Sequence, residues 1–79
     1  MKAIVYSDPS SITCHSLTFW MKQKGIDFEE KNFTDPLVKL EADKKVPYGV
    51  RVVPTTIIGS TKIEGIDHMA ILRALGRNS

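Results

Sequence analysis

The stretch TTIIGSTKIEG, residues 55–65, constrains the fold more than any other part of this 79-residue chain. Two short β-prone runs flank Gly59-Ser60, and glycine in the first central position of a two-residue connection marks a tight hairpin. An antiparallel pair is therefore expected late in the chain. A different pattern precedes it. Residues 2–6, KAIVY, are apolar and β-branched and read as a buried strand. Residues 7–11, SDPSS, are all turn formers, with Ser11 placed to cap a helix. From Ile12 to Lys24 the residues Cys14, Leu17, Trp20 and Met21 recur at helical spacing and make one apolar face. Gly25 sits where a helix ends in a left-handed residue.

Residues 26–33, IDFEEKNF, alternate at Ile26 and Phe28 and then less regularly, as a second strand does. Residues 34–45, TDPLVKLEADKK, have a Thr-Asp start, an early proline and the Leu37, Leu40 spacing of a second helix. Residues 46–54 carry two prolines and a glycine and read as a loop. After the hairpin, Asp67 caps a last helix with Met69, Ile71, Leu72 and Leu75 on one face, and Gly76 stops it. A strand–helix–strand unit implies a parallel pair with a right-handed crossover. With the hairpin added, the expected architecture is α/β, in the order β-α-β-α-β-β-α. Its sheet is mixed and four-stranded, with three helices, in a single domain over residues 1–79.

A chain of this length buries only roughly 60% of its unfolded surface, so one core is the limit. A single cysteine excludes an intrachain disulfide framework and a multi-cysteine zinc or iron–sulfur site, so no metal is expected. The net charge of +2 has acids and bases interspersed, and Lys44-Lys45 is the longest basic run. Nucleic acid, which calls for a clustered basic face, is not an expected partner. No apolar run approaches a membrane span, and Ala3 to Tyr6 is too short for a signal-peptide core. A free thiol without a secretion signal reads as cytoplasmic, and a monomer is expected.

Four motifs in order resemble the glutaredoxin family on the thioredoxin fold, over essentially the whole chain. They are YSDPSSITCH at 6–15, KGIDF at 24–28, VVP at 52–54 reached through GVR at 49–51, and EGIDH at 64–68. The Gly-x-Arg-x-x-Pro approach also resembles the NrdH-type redoxins, which serve ribonucleotide reductase and are reduced by thioredoxin reductase. The resemblance implies thiol–disulfide exchange through a Cys-x-x-Cys pair. In this frame Ser11 stands at the nucleophilic position and Cys14 at the resolving one.

Thiol–disulfide exchange needs a thiolate. The start of a helix favours one, because free amides and the macrodipole lie there. Serine keeps the capping function but stays a neutral hydroxyl. A Ser11–His15 nucleophile pair lacks any evident third group or oxyanion site. Cys14, taken alone, is a small buried apolar side chain. The resemblance therefore implies a reductase frame that is inactive as written. Ser11 is either an engineered exchange that traps the site or a natural loss, and the intact remaining motifs favour the first.

The family frame further implies a cis peptide at Pro54, with the Val53 backbone free to pair with an extended substrate. It places Ile12, Thr13, Arg51, Val53, Pro54, Gly65, Ile66 and Asp67 around substrate or glutathione. The amides at 65–67 would take a carboxylate and Asp67 an ammonium. Without the resemblance, Asp67 is a helix cap, Arg51 a solvated loop arginine, Pro54 a trans turn proline, and Trp20 a core residue. Phe19 is expected to be partly exposed. No bound cofactor is expected, cluster binding is disfavoured by the missing first cysteine, and electrons would come from glutathione or a thioredoxin-reductase-type donor. Asp67 favours glutathione, whereas Glu64 in place of a glycine, together with the arginine loop, favours the reductase. The expected partner is a disulfide-containing protein such as ribonucleotide reductase. The reading from a different class is a non-catalytic binding module that keeps the fold and its peptide groove.

Overall fold

In the computed structural model, which describes residues 2–77, the elements follow the expected order. They are β1 (Ala3–Ser7), α1 (Ile12–Gln23), β2 (Phe28–Asn32), α2 (Pro36–Lys45), β3 (Thr55–Ile58), β4 (Thr61–Glu64) and α3 (His68–Ala74). The sheet order is β2-β1-β3-β4. Strands β1 and β2 run parallel, with Val5 opposite Glu30 and Ser7 opposite Asn32. The β1–β3 and β3–β4 pairs are antiparallel. This is a thioredoxin-like arrangement.

Side chains alternate across a strand, and here the alternation separates two cores. Ala3 and Val5 of β1, Ile58 of β3 and Ile63 of β4 meet Leu17 and Met21 of α1 and Ile71 and Leu72 of α3. On the other face Tyr6 meets Ala42 and Val46 of α2 and Val50 of the following loop, with Phe33, Val38 and Ile57 packed around them. Full burial of one large apolar side chain contributes about 1.5–3 kcal/mol. The richer α1–sheet–α3 layer therefore supplies most of the stabilisation and holds the end of the sheet where α1 begins.

The helix ends follow from local chemistry. Gly25, at φ 67°, closes α1. The Ile26 amide donates to the Met21 carbonyl and the Gly25 amide to that of Lys22, the paired bonds of a Schellman end. Arg77 and Gly76 repeat this arrangement on Leu72 and Arg73. Asp35 caps α2 through the Leu37 amide, and Pro36 takes the first helical position, where no amide is needed. Gly59 has a positive φ of 60°, as the hairpin requires.

Three sequence expectations are corrected. Leu37 and Leu40 lie outside the core, 74% and 57% exposed. Helix α2 instead turns Ala42 inward and packs Val38 beside it, because the bulky Tyr6 ring, edge-on to Phe33 at 6.2 Å, already fills that face of the sheet. Met69 is exposed as well; α3 is short and turns only Ile71 and Leu72 fully inward. Trp20 packs at the rim of the core rather than inside it, and its ring stacks on His68 at 4.0 Å with planes 6° apart. Two strand boundaries also move: β1 begins at Ala3 and takes in Ser7, which pairs with Asn32, and β2 begins only at Phe28.

The loop before β3 is tightly built. Tyr48 and Gly49 are both left-handed, at φ 64° and 68°. A Cβ on Gly49 would lie 2.9 Å from Asp43 Oδ1, so the exposed carboxylate would have to move aside, and the positive φ strains any other residue there. The Lys62 ammonium, reaching across from β4, donates to the Pro47 and Gly49 carbonyls at 3.2 and 3.4 Å. Among the described residues no helix is long and apolar enough to cross a membrane.

Candidate functional site

The topology brings five chain ends to one end of the sheet. Strand β1 finishes at Ser7, and α1 starts five residues later behind the Ser11 cap. Antiparallel pairing sets Tyr6 opposite Thr55 and Thr55 opposite Glu64, so Pro54 and Gly65 follow at the same edge. The Gly65 amide donates to the Pro54 carbonyl at 2.8 Å and fixes these two segments together. Helix α3 begins three residues beyond Gly65.

Ser11 caps α1 as its residue type predicts. Its backbone is extended, and its Oγ accepts the Cys14 amide at 3.3 Å. Ile12 and Thr13 occupy the first two helical positions, where amides have no intrahelical acceptor. That is the positive end of the helix dipole, the place where an anion is held best. Ile12 projects outward at 83% exposure, while Cys14, one turn in, is only 1% exposed. The Cys14 sulfur accepts the Asp8 amide at 3.4 Å, which ties the thiol to the chain just after β1.

The loop that carries Asp8 is ordered by side chains. The Asp8 carboxylate accepts both the amide and the hydroxyl of Ser10, at 2.9 and 2.8 Å, and these bonds hold its pKa below the usual range. The His15 ring is engaged with the Pro9 carbonyl, Nε2–H donating at 2.7 Å. The partner found by His15 is therefore a backbone oxygen, and no Ser11–His15 pair forms.

On the β3 side, the Val53–Pro54 peptide is cis. Pro54 is buried, Val53 is half-buried and Val52 is exposed. The Thr55 hydroxyl donates to the Val52 carbonyl at 2.6 Å and pins the turn. Among the described residues the Val53 amide and carbonyl make no backbone hydrogen bond outside regular elements. Arg51 lies on the surface with its Nη2 3.9 Å from Glu64 Oε2, a long ion pair between exposed groups. Asp67 Oδ1 accepts the Ala70 amide at 3.1 Å and caps α3; Gly65 is left-handed at φ 74°, and Ile66 is partly exposed.

The residues expected at the site thus fall into two groups. Ser11, Ile12, Thr13, Cys14, Val53, Pro54, Gly65 and Ile66 belong to the segments that meet at the junction of β1, α1, β3 and β4. Arg51 is occupied with Glu64, and Asp67 with its own helix. Reading the sequence alone missed Glu30. The buried Ser7 hydroxyl donates to Glu30 Oε2 at 2.7 Å, and an open cavity of about 310 Å³ is lined by Ser7, Pro9, His15, Glu30 and Asn32. Only the β1–β2 register, which sets Glu30 on the face shared with Val5 and Ser7, could have revealed it. The Trp20–His68 stack, which joins α1 to the start of α3, was equally invisible to local patterns.

No protein-family model matches this chain, and no curated protein does either. Among solved structures it is similar to the NrdH-redoxin of Escherichia coli, a glutaredoxin-like protein described as having a thioredoxin-like activity profile. The TM-score is 0.75 at 27% sequence identity, over 92% of this chain and 93% of that one. The resemblance to glutaredoxin-like, NrdH-type redoxins thus extends from the sequence motifs to the fold.

Proposed function

We propose that this glutaredoxin-like chain is a thiol–disulfide oxidoreductase frame in which serine occupies the nucleophilic position, leaving it inactive as written. The observation that carries this reading is the pairing of Ser11 and Cys14: an exposed helix start with Ser11 as cap, and a buried thiol one turn behind it, bonded to the Asp8 amide. With a thiol at position 11, the helix start would favour its thiolate. That thiolate would attack a substrate disulfide and form a mixed disulfide, which Cys14 would then resolve. Ser11 supports only the capping part of this.

A reductase-type donor is favoured over glutathione. Glu64 faces Arg51 at 3.9 Å, so an acid stands beside the cation that a glutathione carboxylate would use. The thioredoxin-like profile described for the similar redoxin from Escherichia coli points the same way. A disulfide-bearing protein such as ribonucleotide reductase is the proposed substrate, and the cytoplasm the proposed compartment. The test is Ser11→Cys, assayed for disulfide reduction with thioredoxin reductase and NADPH and, separately, with glutathione. Activity with the reductase is expected. A restored chain that is folded yet inactive with both donors would sink the proposal.

A second reading, a non-catalytic peptide-binding module, is supported by the exposed apolar side chains Ile12, Val52 and Ile66, on segments that meet at this end of the sheet, and by the open Val53 backbone. Extended peptides can add to such an edge through main-chain bonds. Binding of a thiol-free extended peptide by the Ser11 chain, together with an inactive Ser11→Cys variant, would favour this module.

A further inference from the structure

We propose that the cavity between the β3–β4 turn and the end of α2 binds a small monocarboxylate with an apolar body. It lies at the opposite end of the sheet from Ser11 and Cys14. Its volume is about 290 Å³. That is room for about ten non-hydrogen atoms at the ~30 Å³ that one water occupies in the liquid. Val46 and Pro47 beyond α2 and Ile57 of β3 give it apolar walls, and Gly59 and Ser60 line it at the turn.

The charge that holds the ligand comes from Lys62, on the edge strand β4. Lys62 lies opposite Ile57. Paired side chains share a face, and Ile57 packs with Tyr6 and Val46 on the α2 side of the sheet. Lys62 is therefore turned inward and half-buried. An ammonium has three hydrogens to donate. Lys62 donates to two neutral acceptors, the Pro47 and Gly49 carbonyls, at 3.2 and 3.4 Å. Among the described residues no carboxylate pairs with it: Lys31 and Lys45 take Glu41, and Arg51 faces Glu64. Asp43 reaches toward Gly49 but is not a partner of Lys62. A cation drawn out of water without a counter-charge is costly, and one N–H is left for an anion. An inward lysine also keeps foreign strands off a sheet edge. That role explains the orientation of Lys62 but not the apolar cavity that its ammonium borders.

The charge count selects a monoanion. Lys45 borders the same cavity, but it is exposed and stands 3.7 Å from Glu41, which Lys31 already holds at 2.6 Å. One half-buried cation without a counter-charge calls for one negative charge. A carboxylate oxygen accepts the remaining Lys62 N–H. Its second oxygen is left for Lys45 or for the turn, where the Gly59 and Ser60 amides find no backbone acceptor among the described residues. The body of the ligand covers Val46, Pro47 and Ile57. An anion without a body would leave these walls wet, and a neutral molecule would leave Lys62 without its counter-charge.

Amide NMR spectra of the unaltered chain, titrated at constant ionic strength, test this without any activity assay. The probe is phenylacetate, with acetate as the charge lacking the body and 2-phenylethanol as the body lacking the charge. Phenylacetate is expected to give saturable shifts at Val46, Ile57, Gly59, Ser60 and Lys62, with a Kd of a few millimolar, on the order of what about ten atoms supply at low ligand efficiency. Acetate and 2-phenylethanol should each bind at least about tenfold more weakly, the loss expected for one charge-assisted hydrogen bond or for the apolar contact. Lys62→Met, which keeps the length and removes the charge, should weaken phenylacetate about tenfold. Lys62→Arg should bind better than Lys62→Met, and Lys45→Gln should cost at most about threefold because that cation is solvated. Acetate shifting the same amides over the same range would mean an adventitious ion only and would overturn the proposal. Equal binding of 2-phenylethanol, unsaturating shifts scattered over the surface, or undiminished binding by a folded Lys62→Met chain would overturn it too. Should Lys62→Met not fold, the acetate and 2-phenylethanol titrations of the unaltered chain still decide.

Discussion

Replacing Ser11 by alanine, aspartate and cysteine measures the field at the start of α1, on which any nucleophile there depends. In Ser11→Ala the Cys14 amide loses its side-chain acceptor, now at 3.3 Å. Loss of an N-cap costs about 0.5–2 kcal/mol. The observed bond is long beside the usual 2.9–3.0 Å, so the lower half of that range applies, about 0.5–1 kcal/mol. With a urea m-value near 1 kcal/mol/M for a small domain, the midpoint should fall by about 0.5–1 M. The melting temperature should fall by roughly 2–8 °C. Ser11→Asp keeps an acceptor and adds a charge that the dipole favours by about 0.3–1 kcal/mol, an advantage that salt should erode. Ser11→Cys should behave differently from both. Its thiolate pKa in the folded state is depressed by the helix start, so the extra stability is present above the ordinary cysteine pKa of about 8.5 and is lost as pH falls through the lowered value. Urea denaturation across pH checks all three variants. If alanine equals serine at unchanged m-value and aspartate brings no gain, this helix start does not stabilise anions, and the case for a thiolate at position 11 fails with it.

Three further outcomes follow from groups elsewhere in the fold. Thr56 Oγ1 is buried without a partner among the described residues, on the face shared with Val5 and Ile63. An orphaned hydroxyl costs about 1–3 kcal/mol, so Thr56→Val, nearly equal in shape, should stabilise by about 1 kcal/mol in urea melts, and a loss would refute the orphan. Tyr48 is left-handed yet 94% exposed. Tyr48→Gly should relieve about 1 kcal/mol of backbone strain with no packing lost, read as a higher urea midpoint. The Glu41 carboxylate is bonded by the Lys31 ammonium at 2.6 Å, which holds its pKa below the usual range. A depressed carboxylate pKa gives stability that is present above about pH 4.3 and lost as pH falls through the lowered value. Glu41→Gln should therefore flatten the acid limb of the stability profile, and an unchanged limb would show that the pair is inert.

The sequence made visible the features that act within one turn of the chain. Ser11, Asp35 and Asp67 cap the helices they precede, Gly25 and Gly76 end two of them, and Gly59 turns the hairpin. Each of these needs only neighbours up to a few residues away. What stayed hidden depends on partners across the sheet. The Leu37–Leu40 spacing suggested an inner face of α2, but the inner face of a helix is chosen by what it packs against, and Tyr6 with Phe33 left room only for Ala42 and Val38. Trp20 counted as core by periodicity, yet the start of α3 drew it to the rim.

The candidate site divides in the same way. Its frame, Ser11 to Cys14 and the turn at Pro54, was legible from local motifs. The Ser7–Glu30 bond spans 23 residues and joins the end of β1 to an edge strand whose alternation is weak, so no local pattern could predict it. This difference bears on the chemistry. A serine at position 11 can keep the cap, and with it the helix start, because capping is a local interaction. The Ser7–Glu30 bond depends instead on pairing between strands, which exchanging residue 11 leaves in place. Under the proposed reading, a serine at position 11 leaves in place the cap of α1 and the Asp8 amide that holds the Cys14 sulfur, and Ser11→Cys assayed for disulfide reduction tests whether that frame suffices.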